Sequence, residues 1–170
     1  MEPATLIAAL AHQQSVFQQL FAAFLPAAVP WKPSPEQWSA VEIACHLRDE
    51  EREDFRTRVR YALEHPEQAP PPIDPVGWVT ERAYAQTDFA TAVAEWLDER
   101  RTSLQWLRQL PDVDWQQGYT HPDYGHRSAH FYLTNWLAHD YLHQRQLIRL
   151  QYAYLQEHGG QAIAYAGNWV

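Results

Sequence analysis

Two histidines, His139 and His143, are the residues of this chain whose spacing points most directly to chemistry. Residues four apart lie one above the other on a helix, so both imidazoles can reach one metal ion at about 2.0 to 2.1 Å. Apolar and aromatic residues recur around them at helical spacing, which places both rings on the face expected to be buried. Two ligands do not make a site, and His46 is the candidate for a third.

Chance or ordinary hydrogen bonding could also produce this histidine spacing. With nine histidines in 170 residues, random placement gives on average about half a pair at a spacing of four, so this spacing alone is weak evidence. A second pair with the same spacing, His126 and His130, straddles an expected helix start. Without a third ligand, His139 and His143 could equally be two hydrogen-bonded histidines of a core or cleft. Two imidazoles buried one turn apart disfavour each other's charged forms, and a metal ion is one way to use both.

Carboxylates near His46 could assist a metal. Asp49 and Glu50 share a helix face with His46 by their spacing. Glu50, one turn beyond His46, is the first candidate for a general base and Asp49 is the second. Either of them could instead be a fourth ligand.

Two further acids could orient the histidine rings. Asp140 precedes His143 by three residues and could bond its free ring nitrogen, or it could be a surface acid. Glu42 could act in the same way on His46. A capping box with Ser39 is the favoured role for Glu42, because a serine followed three residues later by a glutamate is typical of a helix start.

The elements that must position these residues are helices. Six glycines, twelve prolines and little alternation of apolar and polar residues predict helices separated by proline-rich joints. A long connection over residues 65–87 favours a crossover along a bundle, with a short helix near residues 76–84. The four long helices are expected at Pro3–Phe24, Ser39–Glu64, Asp88–Leu110 and about Ser128–His158.

Charged residues in two of these helices are expected at the surface. The run from Arg48 to Asp54 is charged at every position, which favours a solvated face with near-neighbour ion pairs, although single members could face inward. In the third long helix, Arg100 belongs to a polar group expected mostly outward.

Aromatic residues are plentiful, with eight tryptophans and nine tyrosines. Such residues more often belong to a core or an interface than to a ligand platform. Four of them lie near the expected mouth of the site and could frame an apolar cleft: Trp115, Tyr119, Tyr124 and Trp136.

The bulk composition predicts one domain over residues 1–170, with a bundle at about 3–158 and a tail at 159–170. A net charge of −8 with scattered cations argues against nucleic-acid binding. A single cysteine, Cys45, excludes an internal disulfide and fits a reducing cytoplasm. No signal peptide or membrane span is evident, so we expect a cytoplasmic protein without a membrane partner.

Several motifs together resemble one known family. They are Trp38-Ser39, Glu42, His46-Leu47, Asp49 and Glu50, then Asp114-Trp115 with His121, Gly125 and Ser128, and finally His139 and His143 followed by Gln144-Arg145-Gln146-Leu147. In this order, and up to about Tyr154, the chain resembles the DinB-like superfamily, which includes the YfiT-like metal-dependent hydrolases.

The resemblance implies an all-α four-helix bundle with up-down-down-up order. It also implies that His46, His139 and His143 hold a divalent metal, for which zinc and nickel are the best candidates, with one position left open. The implied activity is that of a metal-dependent hydrolase, or of a transferase that uses a low-molecular-weight thiol as co-substrate, acting on a small molecule. A homodimer is also expected.

The residues alone leave two further possibilities open. The bundle could bind its metal for stability, sensing or dimerisation without catalysis, or it could be a metal-free interaction module.

Overall fold

The structure, a computed structural model, describes residues 1–167; residues 168–170, the end of the expected tail, lie outside the described residues. Its α-helices are α1 Pro3–Ala22, α2 Ala40–Asp49, α3 Arg56–Glu64, α4 Pro75–Glu81, α5 Phe89–Gln109 and α6 Ala129–His158. A π-helical segment, Glu50–Phe55, joins α2 to α3 in one continuous rod. A short hairpin follows α5, with strands β1 Gly118–His121 and β2 Gly125–Ser128. The predicted four long helices and the short crossover helix are confirmed.

The rod of α2 and α3 runs parallel to α5. Arg48, near the end of α2, bonds Glu95 at 2.7 Å, and Arg56, at the start of α3, bonds Glu99 further along α5 at 2.6 Å. Residue numbers therefore increase together along the two elements. The long connection through α4 makes this possible, because it returns the chain to the end of the bundle where α2 began.

The first and last helices are also parallel to each other. The carbonyl of Met1, just before α1, lies 2.8 Å from His130 Nε2, and Gln144 Nε2 donates to Gln13 Oε1 at 2.5 Å. Helices α1 and α6 run antiparallel to α5 and to the rod of α2 and α3. The contacts that join the two pairs of elements are Phe17 with Trp96, Phe21 with Phe89, and Glu51 with Trp136. The bundle therefore has the expected up-down-down-up order.

The helix starts follow the local sequence signals. Ser39 N donates to Glu42 Oε2 at 2.7 Å, and Glu42 N donates to Ser39 Oγ, which completes the capping box of α2. Asp88 and Ser128 cap α5 and α6 by accepting bonds from backbone N–H groups of the first turn. The carboxylate of Glu42 also bonds Lys32, so capping and this ion pair account for it.

The charged run is only partly solvated. Asp49, Glu50 and Glu51 are all buried, and the turns from Glu50 to Phe55 are π-helical. A π-helix closes its bonds five residues apart and so has a wider turn than an α-helix. The expectation of a solvated face is therefore wrong for these three residues, whereas Arg52 is exposed and the expected near-neighbour ion pairs form between Arg48 and Asp49 and between Arg52 and Glu53.

Arg100 is the buried cation that binds Glu51 of the charged run. The expectation that Arg100 faces outward is therefore wrong. Its side chain is 1% exposed. Its Nε donates to Glu51 Oε1 at 2.9 Å, and its two terminal nitrogens donate to Asp140 at 2.7 and 2.8 Å. It also donates to the carbonyl of Leu10, while Trp136 Nε1 donates to the second oxygen of Glu51. One arginine therefore joins α1, α5, α6 and the π-helical segment.

This network lies between two apolar clusters that fill the bundle. One cluster contains Trp96 and the other contains Trp136, and the Arg100 guanidinium lies 5.2 and 5.8 Å from the centroids of these two rings. Burial raises the pKa of both the Glu51 and the Asp140 carboxyl, and the positive charge of Arg100 opposes that rise. Each charge therefore depends on the others for its stability in the interior.

The joint between α5 and α6 contains the antiparallel hairpin, which the sequence had not indicated. Gly118 pairs with Ser128 at its open end. A Cβ on Gly118 would lie 2.2 Å from the carbonyl oxygen of Arg127, so only glycine allows this approach. The hairpin leads directly into the first turn of α6. Among residues 1–167, no helix combines the length and apolar character needed to cross a membrane.

Replacement of Arg100 should destabilise the bundle strongly. In Arg100→Ala, Glu51 and Asp140 would remain buried without their cation, and we expect a loss of about 3 to 5 kcal/mol in the free energy of unfolding. The matched control is Arg101→Ala, because Arg101 is on the same helix but its side chain is 68% exposed. Urea denaturation of both variants measures the difference, and equal midpoints would contradict the structural role of the network.

Candidate metal centre

Three histidine rings converge between α2 and α6. His139 Nε2 lies 3.3 Å from His46 Nε2 and 3.0 Å from His143 Nε2. In residues 1–167 this is the group of histidine, cysteine and carboxylate side chains that could hold a metal ion, with ligand atoms within 4.8 Å of one another. The structure therefore brings together the three histidines named as candidate ligands from the sequence.

The donor set fits a tetrahedral metal ion. Ligand nitrogens about 2.0 to 2.1 Å from a tetrahedral centre are about 3.3 Å apart, close to the two separations observed here. Burial, with a further contribution from His143, lowers the pKa of His46 to about 3, and burial lowers that of His143 to about 4. The pKa of His139 is also lowered, first by burial and then by its two neighbours. Neutral rings offer lone pairs to a cation, whereas their mutual approach without one is unfavourable.

Gln146 orients one of these rings. Its Oε1 lies 2.7 Å from His143 Nδ1, an arrangement in which Nδ1–H donates and Nε2 keeps its lone pair for the centre. The sequence left Asp140 as either an orienting acid for His143 or a surface acid, and it is neither: it is buried and binds Arg100 with both oxygens. The two residues lie three positions either side of His143, and spacing alone does not show which one the ring faces.

Aromatic side chains form the walls of the centre. The Trp38 ring lies 4.6 Å from the His46 ring, between centroids, and stacks parallel to His143 at 6.5 Å. Phe55, from the π-helical segment, lies 5.0 Å from His139. These walls limit access of water and favour the neutral histidines. Sequence analysis gave neither residue this role, although Trp38 directly precedes the N-cap of α2.

Glu50 is buried and follows His46 by four residues. Burial, followed by the charge of Asp54 and a hydrogen bond with it, raises the pKa of Glu50 to about 9. The metal-free protein therefore holds a proton on Glu50 at neutral pH. A buried carboxyl group whose pKa is strongly raised is a candidate functional group.

Asp49, the second candidate base, belongs to a structural network. Its two oxygens accept bonds from Arg48, Arg82 and the hydroxyl of Tyr84, each at 2.7 Å. These contacts tie α2 to the crossover. Because both oxygens are occupied, proton transfer is not assigned to Asp49.

The four aromatic residues suggested for a cleft occupy other places. Trp136 is in the core, and Tyr124 is 68% exposed. Tyr119 lies on β1, and Trp115 packs against the second apolar cluster. None of the four lines the cavity of about 710 Å³ between residues 33–38 and the second half of α6. Trp38 and Gln146 line that cavity instead, because the segment before α2 folds back over α6.

The second histidine pair does not converge. His126 Nε2 lies 2.7 Å from the carbonyl of Gln116, and His130 Nε2 lies 2.8 Å from the carbonyl of Met1. These bonds fix the hairpin and the chain start, which accounts for both residues without a metal.

Comparisons with known proteins agree with the fold. The model of the DinB superfamily matches residues 9–147. Among solved structures, the chain is similar to YfiT from Bacillus subtilis, described as a probable metal-dependent hydrolase with an unusual four-helix bundle topology. The two share 17% sequence identity with a TM-score of 0.76, over 95% of this chain and 89% of that chain. A search of curated proteins found no match.

Loss of the Gln146 amide should weaken metal binding. We expect Gln146→Ala to lower zinc affinity about 10- to 100-fold, because His143 loses the acceptor that holds its ring and tautomer. Gln146→Glu keeps an acceptor at this position and should retain the affinity. Competition with a chromophoric chelator measures both variants. Gln144→Ala is the control, since Gln144 bonds Gln13 rather than a histidine, and an equal loss there would contradict the assigned role.

Proposed function

This chain belongs to the DinB superfamily, and from that premise we propose that it is a metal-dependent hydrolase acting on a small molecule. The observation that carries the proposal is the convergence of three neutral imidazoles, those of the buried His46 and His143 and the half-buried His139, on a common point. The description of YfiT, which shares the fold, supports the same class of activity.

The ligand set favours a catalytic metal with a vacant position. His46, His139 and His143 supply three nitrogen donors, and the group includes no carboxylate or cysteine. Such a set suits zinc or nickel, and both are proposed here. A divalent ion held in this way supplies Lewis acidity and lowers the pKa of a coordinated water toward about 7, or polarises a substrate oxygen or a thiol sulfur.

Glu50 is the proposed proton-transfer group. Its carboxyl is protonated at neutral pH in the metal-free protein, and a nearby divalent cation favours the charged form. Glu50 can therefore accept a proton from the attacking nucleophile and return it to the leaving group. The negative charge of Asp54 and its hydrogen bond with Glu50 keep the pKa of Glu50 high enough for this return step.

A non-catalytic metal site is the second candidate. His46 and His143 are only 5% and 4% exposed, a degree of burial also expected where a metal serves stability. A metal present at 1,000 times its dissociation constant adds about 4 kcal/mol to stability. A chelator would then lower the melting temperature without any linked reaction.

Metal content and turnover should be lost together when a ligand is removed. We expect His46→Ala, His139→Ala and His143→Ala each to lose bound zinc or nickel, because two imidazoles hold the ion less tightly than three. His12→Ala, at an exposed position on α1, should retain it. Elemental analysis of untagged protein measures metal content, and full content in the three variants would overturn the proposal.

The same variants should be assayed with a panel of esters, amides and lactones, and with small thiols paired with an electrophile. Hydrolysis that is present with bound metal and absent without it supports the proposal. Turnover that requires a thiol would identify a transferase instead. A metal that raises the melting temperature with no reaction in the panel assigns the non-catalytic role.

Glu50→Gln should separate chemistry from metal binding. We expect this variant to retain its metal and to lose about 100-fold or more in kcat, because the proton acceptor is gone. Asp54→Asn should shift the acidic limb of the pH profile to lower pH, since removal of a negative neighbour lowers the pKa of Glu50. A profile unchanged by both substitutions would contradict the role of Glu50.

A further inference from the structure

The cavity of about 710 Å³ beside the histidines has both apolar and cationic walls. Trp38, Leu142 and Leu150 supply apolar surface, and Arg145 and Arg149 lie on the α6 side. A concave apolar space with a few polar groups is typical of a small-molecule site.

Arg145 and Arg149 have no carboxylate partner in the part of the chain that the structure describes, and unlike the other unpaired arginines, Arg60, Arg108 and Arg127, they line this cavity together. Most other cations of this chain form ion pairs, as do Arg48, Arg56 and Arg82. Both arginines are exposed and lie four residues apart on α6, where their like charges repel weakly and an anion between them would be attracted by both. The chain as a whole has a net charge of −8, so this pair is a local exception.

Gln146 connects the cavity to the metal centre. Its Oε1 accepts the His143 Nδ1–H bond, and in residues 1–167 its amide NH₂ has no partner. Trp38 contacts the rings of His46 and His143 and also lines the cavity. A molecule in the cavity therefore lies against the same two side chains that hold the histidines.

We infer that this cavity binds the anionic end of the substrate, with Arg145 and Arg149 holding a carboxylate or phosphate and Trp38 packing against an apolar part. The inference rests on the proposed function, for which it defines the substrate class as a small acid with an apolar portion. Guanidinium groups suit this role because their donors match both oxygens of a carboxylate or phosphate.

Substitution of Glu36 should change the affinity for an anion in the direction opposite to substitution of either arginine. It lines the cavity from the 33–38 side and is the carboxylate among its lining residues. An anion held by the two arginines would be repelled by Glu36. Removal of this charge should therefore tighten binding, whereas removal of either arginine should weaken it.

The test is calorimetric titration of the metal-free and zinc-loaded protein with phenylacetate, phenyl phosphate and the neutral 2-phenylethanol. We expect at least one anion to bind about tenfold or more tightly than the alcohol. Arg145→Gln and Arg149→Gln should each weaken it by about tenfold or more, because a charge-assisted hydrogen bond is lost. Glu36→Gln should strengthen it, and Arg101→Gln, which removes an exposed charge elsewhere, should leave it unchanged. The stronger of the two anions identifies a carboxylate or a phosphate.

Two outcomes would overturn the inference. One is anion binding that is unchanged in both arginine variants. The other is anion binding by the wild-type protein that vanishes when zinc is removed, since the anion would then bind the metal itself. Anion binding through the arginines in a protein without hydrolytic activity would support the cavity assignment and count against the proposed function, so the two failures are distinguishable.

Discussion

The interaction on which the rest of the structure depends is the buried contact of Arg100 with Glu51 and Asp140. A cation with two carboxylates in an apolar interior is stable only when every charge keeps its partners. Here the partners come from separate helices, and the carbonyl of Leu10 adds α1. Helix packing by apolar side chains tolerates small slides, whereas a bidentate arginine contact does not. The network therefore holds the bundle in one register.

That register sets the geometry of the histidines. Asp140 lies next to His139 in α6, and Glu51 lies five residues beyond His46 in the rod of α2 and α3, so the contacts that satisfy Arg100 also align the two ligand-bearing helices. The π-helical turn places Phe55 against His139 while Glu51 faces inward. Burial then keeps the rings neutral, which a metal requires of its ligands.

Much of this fold was predictable because its signals are local. The ends of the long helices follow prolines and capping residues, and the crossover order follows from the length of the connection between the second and third long helices. The spacing of His139 and His143 and the family resemblance indicated the candidate ligands. Expectations were wrong where a charged residue has a distant partner. Arg100 was expected outside, and Asp140 was expected either to orient a histidine or to lie at the surface, because no local pattern shows that an arginine forty residues away will bind it.

By itself, the sequence determined which segments are helical, which residues start them and which histidines share a helix face, since these depend on neighbours within about one turn. Only the tertiary structure decided that His46 meets the other two rings, that Gln146 rather than Asp140 bonds His143, and that Trp38 closes the site. The first of these contacts joins two helices, and the last brings a residue that precedes α2 against one within it. The second depends on which of two residues of α6 the His143 ring faces. The choice depends on how the whole bundle buries its charges, and a spacing pattern contains no information about that.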